Sequence, residues 1–170
     1  MRRTRIAVVA LVLVGATAAC SSDEVYAAPD EVCGVAVDSG AVDPLLPEGK
    51  KLDQTKSGSQ ATLSQCRLSV DGKGVLSVKS YFVPAKEDPV ETKAWELTNP
   101  AEISVGDNAR VSDAMAIAVA DCASAGERRK FVVQAYPLTT ASDLPERRED
   151  LTRFMAAYFP KAQAAVDCTS

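Results

Sequence analysis

The sequence predicts an α+β fold: a single domain with a mainly antiparallel sheet, built from a hairpin and a meander, covered by a carboxy-terminal amphipathic helix and tied by two disulfides. Three observations lead there. Apolar and polar residues alternate on both sides of Asp71-Gly72-Lys73-Gly74, which is the pattern of a β-hairpin. Leu151, Phe154, Met155, Tyr158, Phe159, Ala162 and Val166 recur at helical spacing near the end of the chain. Cys33, Cys66, Cys122 and Cys168 are an even number of cysteines in a chain whose start reads as an export leader, which implies two bridges.

The start of the chain orders the rest. Met1-Arg2-Arg3-Thr4-Arg5 is positively charged, Ile6 to Val14 is an unbroken apolar run, and Gly15 to Ala19 are small residues leading to Cys20. This is the order of a secretory signal peptide. The apolar run has nine residues, fourteen if carried to Ala19, short of the roughly 17–25 that cross a bilayer as a helix. Ala18-Ala19-Cys20 resembles the end of a bacterial lipobox, although Thr17 stands where that motif has an aliphatic residue. The resemblance implies cleavage before Cys20 and acylation of its thiol, which makes the membrane the first partner. The bland alternative, an ordinary leader with an unmodified Cys20, would leave a reactive thiol exposed at the start of an exported chain. Arg2-Arg3 leaves both the general secretory and the twin-arginine routes open. The expected organisation is a signal peptide over 1–19, a lipidated flexible spacer over 20–31 and one globular domain over 32–170.

Loss of residues 1–19 takes three arginines and no acids, so 19 basic residues become 16 against 23 acidic, a net of −7. Nucleic acid is therefore not an expected partner, since phosphate binding needs a basic surface. Acyl chains, at about 0.8 kcal/mol per buried CH₂, would hold the protein without help from charge. A mature chain of this length makes one domain with a core large enough to fold alone.

In chain order, residues 21–30 are small, acidic and aperiodic, as a spacer would be. Ser39 to Leu46 suits a short helix capped by Ser39, with Val42, Leu45 and Leu46 facing inward. Lys51 to Lys56 reads as a polar strand. In the hairpin, Cys66, Leu68, Val70, Leu76, Val78 and Phe82 are the inward set, and all are even-numbered. Paired residues in an antiparallel ladder have a constant index sum, so that sum must be even. A two-residue loop at Asp71-Gly72 would give an odd sum and turn one apolar set to solvent; a three-residue loop is therefore predicted. Asp88-Pro89-Val90-Glu91 has the cap acid, first-turn proline and following carboxylate of a helix start, with a stop before Asn99-Pro100. Ile103 and Val105 suggest a strand entering the turn Gly106-Asp107-Asn108. Met115, Ile117 and Val119 alternate with alanines in a further strand, and Phe131-Val132-Val133 begins another after a loop from Ala123 to Arg129.

The last helix should start at Asp143 with Glu146 and kink at Pro160, whose nitrogen cannot bond back to the Ala156 carbonyl. Four cysteines allow three connectivities. Cys33–Cys66 with Cys122–Cys168 is favoured, because each pair lies within one half of the chain and closes a loop worth roughly 3–4 kcal/mol in the chain-entropy model. The leader, Cys33 ahead of Leu45-Leu46-Pro47, the Cys66-Arg67-Leu68-Ser69-Val70 strand, the Val105-Gly106-Asp107-Asn108-Ala109 turn and the final helix resemble the small secreted lipoproteins of unknown function common in actinobacteria. That resemblance implies a place outside the membrane and no particular activity.

Candidate chemistry is sparse. The chain has no histidine, which removes Ser-His and Cys-His nucleophile systems and histidine metal sites. The cysteines lack the close pairs of a zinc site, so no cofactor or metal is expected. Gly72-Lys73-Gly74 has neither phosphate-loop nor dinucleotide spacing. Asp107, Asp113 and Asp121 lie near turns or strand ends and could line one edge of the sheet, where a pair of carboxylates across a cleft would suit glycoside hydrolysis; turn capping and solubility are the plainer account. Glu146, Glu149 and Asp150 read as a solvated face with neighbouring arginines. Trp95 suggests either a binding surface or, more simply, a ring packed on the core. The expectation is a non-catalytic lipoprotein that binds a protein partner or ligand, with a carrier of apolar ligands and a two-carboxylate hydrolase as rivals.

Overall fold

The computed structural model of the chain describes residues 25–59, 63–124, 127–140 and 143–168. The leader and Cys20 lie outside the described residues. Among the described residues Tyr26 already packs against the core, its hydroxyl donating to the Pro47 carbonyl. A two-stranded ladder follows, β1 (Glu31–Val32) against β2 (Val35–Ala36). Asp38 rather than Ser39 caps α1 (Ser39–Val42), its carboxylate accepting from the Gly40 N–H at 2.8 Å. A 3-10 turn over Asp43–Leu45 continues it, and Val42 and Leu45 are buried as their spacing requires.

The main sheet has seven strands: β3 (Leu52–Ser59), β4 (Leu63–Val70), β5 (Lys73–Pro84), β6 (Ala101–Glu102), β7 (Asn108–Val111), β8 (Ala116–Ser124) and β9 (Glu127–Pro137). Its order is β3-β4-β5-β9-β8-β7-β6, antiparallel throughout. Two meanders, β3–β5 and β6–β9, are thus joined edge to edge through β5 and β9. The connection from β5 to β6 carries α2 (Pro89–Thr92) and a 3-10 turn (Ala94–Glu96). Asp88 caps α2 by accepting from Val90 and Glu91.

The hairpin satisfies its parity differently from expectation. Its turn has two residues, Asp71 and Gly72, with φ of 50° and 78°, the left-handed pair of a type I′ turn. Val70 pairs with Lys73 and Ser69 with Gly74, an odd sum, but a register shift then leaves Val75 without a partner on β4. From Leu68 opposite Leu76 to Cys66 opposite Val78 the sum is even. A β-bulge supplies the extra residue that the loop lacks. Two other expectations shift: the residue 123–129 loop shortens because β8 runs to Ser124 and β9 begins at Glu127, and the strand expected at Ile103 and Val105 is only Ala101–Glu102.

The terminal helix α3 (Leu144–Ala164) is capped by Asp143, which accepts from the Glu146 N–H at 2.9 Å, and it runs on through Pro160. Leu151, Phe154, Met155, Tyr158, Phe159 and Ala162 form its buried face. Against it the sheet turns Ala116, Ala118 and Ala120 with Phe131, Val133 and Ala135. The loop before β7 also closes on α3. At Gly106, with φ of 61°, a Cβ would stand 2.6 Å from the Val119 carbonyl oxygen and 2.9 Å from the Phe159 ring. Both expected disulfides are present, Cys33–Cys66 with Cα atoms 5.9 Å apart and Cys122–Cys168 at 5.1 Å. By loop length each contributes roughly 4 kcal/mol in the chain-entropy model.

The other sheet face has a smaller core. Met115, Ile117, Val119 and Val132 pack under Val90 and Leu97 from the β5–β6 connection. Ala116 to Ala120 are therefore buried on both sides of the sheet, which accounts for the unbroken apolar composition of that stretch.

Candidate functional site

The second face places a polar cluster beside that smaller core. Pairing of β5 with β9 sets Lys79 opposite Gln134, Ser77 opposite Tyr136 and Tyr81 opposite Val132. The Tyr136 hydroxyl lies 2.9 Å from Gln134 Oε1 and 3.2 Å from Glu96 Oε2. Lys93 closes the chain of contacts by donating to Glu96 Oε1. Lys79 Nζ stands 5.1 Å from the Tyr136 ring centroid and Lys93 Nζ 5.7 Å from that of Trp95, both within the range of cation–π attraction.

Burial makes this cluster electrostatically distinct. Desolvation, followed by the charge of Glu96, pushes the Tyr136 phenol far above its ordinary value. The same two causes raise Tyr81. Gln134 is 2% exposed, and its Nε2 lies near enough to Tyr81 to favour the phenolate but meets no acceptor in hydrogen-bond geometry among the described residues.

Trp95 corrects the simpler sequence expectation. It is 80% exposed; Val90 and Leu97 supply the packing, while the 3-10 turn, at three residues per turn, sends Glu96 toward Tyr136 and leaves the indole outside. A large exposed aromatic flanked by a lysine is a common anchor of binding surfaces.

Three of the carboxylates singled out by sequence, Asp107, Asp113 and Asp150, have structural partners. Asp107 accepts from the Asp121 backbone N–H at 2.7 Å, joining two of the singled-out residues through a turn. Asp113 accepts from Arg148 Nε at 2.7 Å and Asn99 Nδ2 at 3.0 Å; the Arg148 bond, then Asn99, holds its carboxyl below the usual range. Asp150, expected on a solvated face, is buried against Arg153 at 2.9 Å, because it lies on the side of α3 that turns toward the 3-10 segment after α1. Glu146 and Glu149 are exposed. Asp143, Glu146 and Asp150 meet Pro44 and Pro47 around a cleft of about 360 Å³. Among the described residues no group of His, Cys, Asp and Glu side chains is arranged to hold a metal, and no helix is long and apolar enough to cross a membrane.

Sequence reasoning missed Gln134, Tyr136, Tyr81, Lys79 and Glu96. The available signal was Gln134 itself, a polar residue inside the apolar run from Phe131 to Ala135. Comparison with known protein families, with curated proteins and with solved structures finds no match.

Proposed function

We propose that this is an exported lipoprotein, cut before Cys20, held at the outer face of the cell membrane by acyl groups on that cysteine, and serving there as a non-catalytic module that binds a protein or ligand. The charged start, the nine-residue apolar run and the small residues ahead of Cys20 support the export and anchoring parts of this reading. The observation that carries the binding reading is Trp95, an 80% exposed indole with Lys93 over its ring at the edge of the polar cluster. Tryptophan is enriched among the few residues that carry most of the energy of protein interfaces.

The test is crosslinking in the native membrane followed by mass spectrometry, comparing the parent with Trp95→Ala and Cys20→Ser. The reading expects Trp95→Ala to lose crosslinked species while remaining folded, and Cys20→Ser to be released or left unprocessed. An unchanged set of species in Trp95→Ala would remove the binding surface from this face. Membrane retention of a correctly cleaved Cys20→Ser protein would end the lipid-anchor assignment.

A further inference from the structure

Resting on acylation of Cys20, we infer that the end of the domain bearing the Asp71-Gly72 turn docks on the outer surface of the lipid bilayer, with the opposite end, at Pro84 and Arg128, directed away. The first ground is reach. A chain spans at most about 3.6 Å per residue, so Cys20 lies no more than about 18 Å from Val25 in any conformation. The second is where that tether enters. Tyr26 donates to the Pro47 carbonyl, and its phenol is pushed up by burial and then by Asp43 and Asp71. Asp71 in turn accepts from the Lys50 and Lys51 N–H groups at 3.1 and 2.9 Å. The tether therefore joins the fold at the turn end of the β4–β5 hairpin.

The far end lies beyond that reach. β5 has 12 residues, about 40 Å at roughly 3.3 Å each. α3 spans the same axis: its first turn shares the cleft with Pro44 and Pro47, and past its last turn Cys168 is bonded to Cys122, whose pairing partner is Arg129. Geometry alone would still permit the domain to lie flat on the membrane.

Exposed apolar side chains decide for the upright arrangement. Among the described residues the large exposed ones are Val25, Leu63, Trp95, Leu138 and Leu144. Three of these gather at the tether end. Val25 precedes Tyr26; Leu138 donates its N–H to the Val75 carbonyl at 2.8 Å and reaches over Gly74; Leu144 opens α3 next to Asp143 at the cleft. Leu63, paired with Tyr81, stands toward the other end, and Trp95 is on the second sheet face. Charges at the tether end are interspersed but net acidic, Lys50, Lys51, Lys73 and Arg147 against Asp43, Glu48, Asp53, Asp71, Asp143 and Glu146, so apolar contact and the tether, not charge, have to hold this end to lipid. A few apolar side chains bind a bilayer weakly by themselves. A short tether makes the contact intramolecular, and a high effective concentration then suffices.

The test uses the acylated protein purified from membranes and placed in vesicles of phosphatidylcholine and phosphatidylglycerol, with amide hydrogen exchange read by mass spectrometry. Exchange should slow several-fold in residues 46–51, 71–74 and 138–140 relative to detergent solution, while residues 84–88 stay unchanged. A flexible Gly/Ser insertion of about 20 residues after Ser22, adding about 25 Å of root-mean-square reach, should leave part of that protection. Leu138→Ser combined with Leu144→Ser should then abolish it without changing the melting temperature. Uniform exchange at both ends, protection at the far end, or complete loss of protection on lengthening the tether alone would each overturn the docking surface. Protection that persists without vesicles and grows with protein concentration would assign the end to a second copy and overturn it as well. Intact mass decides the anchoring separately: a chain without acyl groups ends both readings, whereas an acylated chain with uniform exchange ends only this one.

Discussion

Phe154→Ala is the sharpest probe of how the helix holds the sheet. The ring is fully buried, 0% exposed, and stacks on Tyr158 with centroids 5.2 Å apart and planes 20° apart. Returning such a side chain to water forfeits about 1.5–3 kcal/mol of transfer free energy. The hole left between α3 and the sheet raises the total to about 3–5 kcal/mol, out of the roughly 5–15 kcal/mol of a typical domain. At about 2–4 °C per kcal/mol for a domain near this size, the melting temperature should fall by roughly 6–20 °C. Trp95→Ala, at 80% exposure, should stay within about 0.5 kcal/mol of the parent. Both are compared by far-ultraviolet circular dichroism under oxidising conditions, since Trp95 is the sole tryptophan and fluorescence would vanish with it. A Phe154→Ala melting point within about 2 °C of the parent, less than 1 kcal/mol by the same scaling, would refute the packing drawn for α3; equal losses in the two variants would place Trp95 in the core.

Gly106→Ala should destabilise by at least about 1–3 kcal/mol, because the new Cβ meets the Val119 carbonyl and the Phe159 ring while the backbone stays left-handed; a urea midpoint equal to that of the parent would show that the loop relaxes without cost. Burial pushes the Tyr158 phenol up to about 12. The folded state thus favours the neutral phenol, a contribution complete below the unfolded value near pH 10 and lost as pH rises from there through about 12, worth roughly 2–3 kcal/mol at its largest. Tyr158→Phe should lose stability less steeply than the parent over that window in alkaline denaturation, and identical pH profiles would contradict the burial of that hydroxyl.

What the sequence makes legible is whatever depends on neighbours along the chain. Asp88 and Asp143 announce their helices because a cap and its acceptors lie within a few residues, and the even-numbered apolar set fixes the hairpin's parity. Parity, however, is a sum over turn and ladder together. A three-residue loop and a two-residue loop with a bulge at Val75 satisfy it equally, and the strong local preference of Asp71-Gly72 for a type I′ turn selects the second. The disulfide pairing was accessible for a related reason, since each bridge joins elements of one half.

The second-face cluster was hidden because it depends on pairing β5 with β9, strands separated in sequence by the β5–β6 connection and three further strands. That pairing puts Lys79 opposite Gln134, and the connection then brings Glu96 to Tyr136 across forty positions of sequence. No window of local periodicity contains both partners. Gln134 nevertheless leaves a trace: on a strand buried on both faces every residue should be apolar unless its polar group is satisfied or reserved. It accepts from Tyr136 of its own strand at Oε1 and stands beside Tyr81 of β5, so what satisfies the polar group becomes visible only once β5 and β9 are paired.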